Sequence, residues 1–140
     1  MNLNYSHHLE FRVRYSETDR MGYCYHGNYA SYFELGRVEA LRSLGIVYKR
    51  LEDDGILLPV VSMNIQYKLP AKYDDLLRLE TTLVRTTNCT MEFTYVLRDQ
   101  HALVLTNAST VLVFQSLHQG KPIRIPEFIQ TILSMYEINQ

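Results

Sequence analysis

The sequence predicts an α+β fold in which one long helix is set against an antiparallel sheet. Three observations carry this. A strictly alternating run, Leu9 to Tyr15, comes first. A run of helical period, Tyr29 to Leu44, follows it. Four further strand-like runs then arrive in succession, separated by turn residues. A sheet that wraps the single apolar helix satisfies that order.

Taken in order, Leu9, Phe11, Val13 and Tyr15 fall on one face of the first strand, with Glu10, Arg12 and Arg14 on the other. Tyr29, Tyr32, Phe33, Gly36, Ala40, Leu41 and Leu44 then repeat at i, i+3, i+4 and i+7, the stripe of a helix. Gly36 inside it costs about 1 kcal/mol against alanine, so a close approach by a sheet or another helix is expected there. Gly45 stops that helix. Ile46 to Asp54 holds one more short helix, ended by Gly55.

Val61, Met63, Ile65, Tyr67 and Leu69 alternate with polar residues until Pro70. Leu77 to Leu83 and Met91 to Leu97 are the next strands, the second closed by a turn at Asp99–His101. Ala102 to Phe114 is the longest run. It is apolar on both faces over much of its length, which places it centrally in the sheet. Pro126 starts a short C-terminal helix carrying Phe128, Ile129, Ile132 and Leu133. No repeat, low-complexity tract or linker interrupts the chain, so residues 1–140 are expected to form a single domain. One sheet around one helix leaves a face uncovered, and pairing with a second copy is expected.

Composition narrows the function classes. The 140 residues are 46% hydrophobic and 21% charged, with a formal net charge of -1. That argues against a strongly basic nucleic-acid binder. Cys24 and Cys89 form no Cys-x-x-Cys pair, so neither a zinc site nor a redox motif is expected, and both are read as free thiols. The N-terminus lacks the apolar core of a signal peptide, and no run is long enough to span a bilayer. The expected location is therefore cytoplasmic.

The segment Asp19 to Arg37 carries the chemistry. An acidic residue ends a strand, a glycine-bearing loop follows, and His26-Gly27-Asn28-Tyr29 opens the patterned helix. A carboxylate activates water or attacks a carbonyl, and a helix N-terminus holds the oxyanion that forms. The layout suits hydrolysis of an acyl bond.

The run Tyr15-Ser16-Glu17-Thr18-Asp19, continuing through Gly22, His26, Asn28 and Tyr29 and followed by Tyr32-Phe33-Glu34 and Arg37, closely resembles the signature of hotdog-fold acyl-CoA thioesterases. The nearest branch is the 4-hydroxybenzoyl-CoA thioesterase-like group, which includes the thioesterase associated with the bacterial Tol-Pal system. The turn Leu69 to Asp75 resembles that family's connection between its second and third strands. The resemblance runs from Leu9 to about Phe114. It implies a five-stranded antiparallel sheet wrapped around the central helix, and hydrolysis of an acyl-CoA thioester to a carboxylic acid and free coenzyme A. It implies Asp19 as the catalytic carboxylate and the backbone N–H of His26 as the group that polarises the carbonyl. Gly27, Asn28 and Tyr29 are then the candidate substrate-binding residues. It also implies active sites between subunits of a homodimer or homotetramer, with no metal or other cofactor. The thiol carrier is coenzyme A or an acyl-carrier protein. Met21 and Cys24 depart from many relatives and are read as tuning the acyl pocket.

Each residue also has a plainer role. Asp19 is able to cap a turn, and Asn28 is read first as the helix N-cap. Glu34 and Arg37, three apart, are read as an ion pair at a subunit contact, with Glu34 the reserve carboxylate. Cys24 is read as a buried thiol rather than a nucleophile. Lys68, Lys72, Arg85 and Arg98 are the basic residues that either meet cofactor phosphates or are ordinary solvated charges. The competing functions are a non-catalytic acyl-CoA or acyl-carrier-protein binding protein and a hotdog hydratase.

Overall fold

The computed structural model describes residues 1–139; Gln140, the last residue of the expected domain, lies outside the described residues. Its elements run β1 (Asn2–Arg12), α1 (Tyr29–Ser43), α2 (Tyr48–Asp53), β2 (Ile56–Leu57), β3 (Val60–Tyr67), β4 (Leu76–Thr86), β5 (Thr90–Arg98), β6 (Val104–Val113), β7 (Gln115–Ser116) and α3 (Glu127–Ser134). Five strands form one antiparallel sheet in the order β1-β4-β5-β6-β3, and β2 pairs with β7 in a small ribbon. The α+β architecture with five antiparallel strands is the one the sequence pattern predicts.

The central helix lies over β1 and β4. The reason for Gly36 is visible there: a Cβ at that position would stand 2.4 Å from Thr81 Oγ1 and 2.7 Å from Leu79 Cδ2. The approaching element is the sheet. Phe33 and Tyr95 pack in the middle of the core with rings tilted by 35° and centroids 4.7 Å apart, and both are fully buried. Gly45 and Gly55 end α1 and α2 at φ +85° and +79°, in the left-handed region that glycine enters without penalty.

Several expectations are corrected. The first strand starts at Asn2, seven residues before the alternating run begins, and ends at Arg12. Tyr15 is not on its buried face; it sits in a 3₁₀ turn, 77% exposed, against Tyr73. The final strand is neither the longest nor the central one. At ten residues β6 is shorter than β1 and β4, and β5 takes the centre. Its two apolar faces reflect an interior position, flanked by β5 and β3. Glu34 and Arg37 form no ion pair among the described residues. Glu34 is exposed, while Arg37 turns inward, 7% exposed, with Nε and Nη1 unpartnered.

The third strand, β3, is a sheet edge. The face that alternation marks as apolar is largely uncovered there: Val61 is 58% exposed and Tyr67 51%.

Candidate active site

The site is built on the loop between β1 and α1. Asp19 closes a tight turn in which its carbonyl accepts the Gly22 N–H, and its Oδ1 accepts the N–H groups of Met21 (2.9 Å) and Tyr23 (3.3 Å). Gly22, at φ +75°, supplies the left-handed residue this turn needs. The plainer role of Asp19 as a turn cap is therefore real. It occupies one carboxylate oxygen and leaves Oδ2 without a hydrogen bond among the described residues.

The returning arm of the loop pairs with the segment after β3. Cys24 N–H donates to the Ala71 carbonyl at 2.7 Å, and Tyr73 N–H to that of Gly22. The Leu69–Asp75 turn, distant in sequence, is thus folded against the Asp19 loop. A 3₁₀ turn, His26–Asn28, then leads directly into α1. The N–H groups of its first residues are among those that a helix start leaves unbonded.

A cavity of about 300 Å³ opens between these pieces. It is lined by Asp19, Tyr23, Cys24, His26, Tyr29, Tyr67, Lys68, Leu69 and Pro70. Of the sequence-predicted residues, Asp19, His26 and Tyr29 meet here. Gly27 and Asn28 lie outside the lining. A Cβ on Gly27 would meet the Tyr25 ring at 2.6 Å, so a side chain there would have to displace that half-exposed ring.

Asn28 occupies the expected N-cap position of α1, but without a capping hydrogen bond from its side chain. Its own backbone is helical, at φ -79° and ψ -19°, and its side chain caps nothing in α1. Nδ2 instead donates to the Glu17 carbonyl at 2.8 Å, tying the helix start to the outgoing arm of the loop. Tyr29 is buried, and its hydroxyl accepts the Ala71 N–H at 3.4 Å. Burial pushes the Tyr29 phenol above its usual range, so it stays protonated. The His26 ring leans on Tyr25 at 4.5 Å and faces Tyr67 edge-on at 6.4 Å.

Cys24 is buried beside the cavity, and burial raises its thiol above the ordinary value of 9.0. A protonated thiol is a poor nucleophile, as expected for this residue. Both cysteines are free. Glu34 is not in the cavity lining. Of the four basic candidates, only Lys68 lies at this cavity; Arg85 is held by Glu92 at 2.7 Å, and Arg98 lines a separate cavity on the sheet. No group of three or more metal-ligating side chains occurs among the described residues, and no helix among them is long and apolar enough to cross a membrane.

The sequence reading missed the second wall. Tyr67, Leu69 and Pro70 come from the end of β3 and the turn beyond it, and the alternation of β3 was the signal that Tyr67 and Leu69 share one face. Glu17, which is 9% exposed, stands in the signature run but was assigned no role of its own. A glutamate two residues before Asp19 in a polar stretch carries no burial signal of its own.

A five-stranded antiparallel sheet set against one long helix is the hotdog architecture. The chain matches the model described as thioesterase superfamily over residues 21–105, more than half its length, and it belongs to that family. By that membership it is a thioester hydrolase. It is 32% identical over 120 residues to the acyl-CoA thioesterase YbgC of Haemophilus influenzae, an alignment that takes in 85% of this chain and 88% of that one. It is 46% identical over 77 residues to YneP of Bacillus subtilis, provisionally named an acyl-CoA thioesterase; that match takes in 55% of this chain and only 52% of YneP. A DHNA-CoA thioesterase structure from Staphylococcus aureus superposes with a TM-score of 0.89 at 30% identity, over 93% of this chain and 89% of that one.

Proposed function

We propose that this chain is an acyl-CoA thioesterase acting as a single hotdog domain, with Asp19 as the catalytic carboxylate. The observation that carries the reading is the convergence of Asp19, His26 and Tyr29 on one cavity at the start of α1. A thioester carbonyl beside the His26 N–H would gain charge on oxygen as it is attacked, and a helix-start N–H stabilises that charge. Asp19 either attacks the carbonyl carbon, giving a mixed anhydride that water then cleaves, or takes a proton from the attacking water. Both routes release a carboxylate and free coenzyme A, and both need the ionised side chain. Gly27 and Asn28 serve the substrate through the backbone geometry of the helix start, and Tyr29 and Tyr67 through their rings. Lys68, at the cavity, suits the phosphate-bearing carrier.

The assembly is a homodimer or homotetramer. Support for this comes from the uncovered apolar residues of the β3 edge, which adjoin the cavity through Tyr67.

The test is thiol release from short, long and aromatic acyl-CoAs by the wild type and Asp19→Asn. Asparagine keeps the turn-capping oxygen and removes the charge. A rate loss of about 100-fold or more, with an unchanged circular dichroism spectrum, is the expected result. Equal rates would make Asp19 a turn cap only and move the assignment to another carboxylate. Binding of acyl-CoA without turnover by the wild type would favour the non-catalytic binding protein.

A further inference from the structure

We propose that Glu17 is a positioning residue for the reaction, the buried anchor that holds Asp19 and the His26 N–H in register. The inference rests on the Asp19 reading above.

Glu17 is tied through both its side chain and its backbone. Its side chain is locked from two directions. Oε1 accepts the Arg14 N–H at 2.8 Å and the Tyr32 hydroxyl at 3.0 Å, and Oε2 accepts the Arg14 guanidinium at 3.2 Å. Its backbone carbonyl accepts the Tyr25 N–H at 2.8 Å and Asn28 Nδ2 at 2.8 Å. One residue thereby joins the end of β1, both arms of the loop and the first turns of α1. Asp19 lies two residues after it in sequence, and His26 lies between the two donors to its carbonyl.

The anchor is also charged and satisfied. Burial works to raise the Glu17 carboxyl, but the hydrogen bonds from Arg14 and Tyr32, with the Arg14 charge, outweigh it and hold the group below its ordinary value. The Tyr32 proton is committed to an ionised acceptor, so in the 3.3 Å contact with Cys24 the Tyr32 oxygen accepts, and the thiol has one proton to share between it and the Tyr25 carbonyl at 3.7 Å. The relay Cys24–Tyr32–Glu17 thus runs from the wall of the Asp19 cavity to a second cavity of about 470 Å³ behind the loop, lined by Glu17 and Tyr32. A buried polar chain of this kind has one low-energy arrangement and resists small shifts of its members. Catalysis by a carboxylate and an N–H donor is sensitive to such shifts, because a misplacement of about 1 Å costs on the order of 100-fold in rate.

The experiment compares Glu17→Gln, Tyr32→Phe and Asp19→Asn, the double variant Glu17→Gln/Asp19→Asn, and Tyr95→Phe. The last loses a buried hydroxyl pair with Thr110, away from the loop, and reports simple destabilisation. Glutamine keeps an acceptor for Tyr32 and the shape of the side chain, which keeps the variant foldable. The expected result is a kcat lowered roughly tenfold or more in Glu17→Gln with KM within about twofold. Amide exchange should quicken at residues 24–28 and stay unchanged in β5. Tyr95→Phe should leave kcat unchanged. In the Asp19→Asn background, Glu17→Gln should lower the residual rate by clearly less than in the wild type, since the part of its effect that passes through Asp19 is already lost and only the part through the His26 N–H remains.

An unchanged kcat in Glu17→Gln, alongside an inactive Asp19→Asn, overturns this inference alone. So does a fall in kcat without faster exchange at the loop, or an equal fall in both backgrounds. A fully active Asp19→Asn overturns the reading beneath it, and is recognised from that single variant.

Discussion

Replacing Gly36 by alanine should destabilise the protein, against the usual effect of that change in a helix. In an open helix interior the substitution gains about 1 kcal/mol. Here the new methyl would lie 2.4 Å from Thr81 Oγ1 and 2.7 Å from Leu79 Cδ2. Both neighbours sit on β4, and Leu79 and Thr81 are 0% and 1% exposed, so neither has free space to move into. Overpacking of this kind costs about 1–3 kcal/mol, towards the upper end where neither neighbour has room to yield, and the propensity gain of about 1 kcal/mol offsets part of it. The expected net loss is about 1–2 kcal/mol, read as a lower midpoint in urea at unchanged m-value.

Thr81 provides the internal control. Its hydroxyl is buried without a hydrogen-bond partner among the described residues, so Thr81→Ala alone should be nearly neutral. Combined with Gly36→Ala it removes the closer of the two clashes. The double variant should recover about 0.5–1 kcal/mol relative to the sum of the single changes. Rescue is partial because Leu79 remains. A Gly36→Ala protein as stable as the wild type, or an additive cycle, would refute the argument that α1 is held against β4 at this glycine.

Three further outcomes follow from buried or strained positions. Burial pushes the Tyr48 phenol up to about 12, with the nearby Arg37 cation opposing the rise. The unfolded chain therefore loses this proton near pH 10 while the fold retains it. Stability is full below pH 10 and falls as pH rises towards 12, by up to about 3 kcal/mol from this group. Tyr48→Phe should remove that share of the alkaline loss and leave stability at pH 7 little changed, as followed by urea titrations at stepped pH. Ala102 adopts φ +63° in the turn between β5 and β6, so Ala102→Gly should stabilise by about 0.5–1 kcal/mol after the entropy cost of glycine, seen as a higher Tm. The raised Cys24 thiol should resist iodoacetamide at pH 7.5 in the folded protein and react readily in urea, as read by peptide mass.

The sequence announced its elements where one face alone was decided by burial. The 3.6-residue stripe of α1 gave a helix ending within one residue of the observed Ser43, because Tyr32, Phe33, Gly36, Ala40 and Leu41 all meet the sheet. Periodicity failed where local hydrogen bonds outweigh it. Tyr15 continues the alternation of β1, yet the reciprocal bonds between Arg14 and Glu17 turn the chain there and leave the ring outside. It failed again where burial depends on sheet order. A run apolar on both faces marks an interior strand but does not distinguish the second position from the centre. Asn28 shows a third limit. Its residue type fits an N-cap, but the 3₁₀ turn ahead of α1 already places it in helical geometry, and its amide goes to Glu17 instead.

The candidate site was legible on one wall only, and the reason is physical. Asp19 and His26 belong to a continuous segment whose turn and helix signals are local. Tyr67, Lys68, Leu69 and Pro70 reach the same cavity because β3 pairs with β6 at the far edge of the sheet from β1, and the chain then crosses back to bond its 71–73 segment to the loop. That crossing has a consequence for the proposed chemistry. The loop has few buried apolar residues of its own, and its geometry is fixed by Glu17 on one side and by Ala71 on the other. Ala71, fully buried, receives the Cys24 N–H through its carbonyl and gives its own N–H to Tyr29. A carboxylate held only by its own turn would sample many positions. Clamped between these two anchors, Asp19 keeps one oxygen in the turn and has the other without a hydrogen bond among the described residues, at the wall of the cavity, as the proposed nucleophilic attack or general-base catalysis would need.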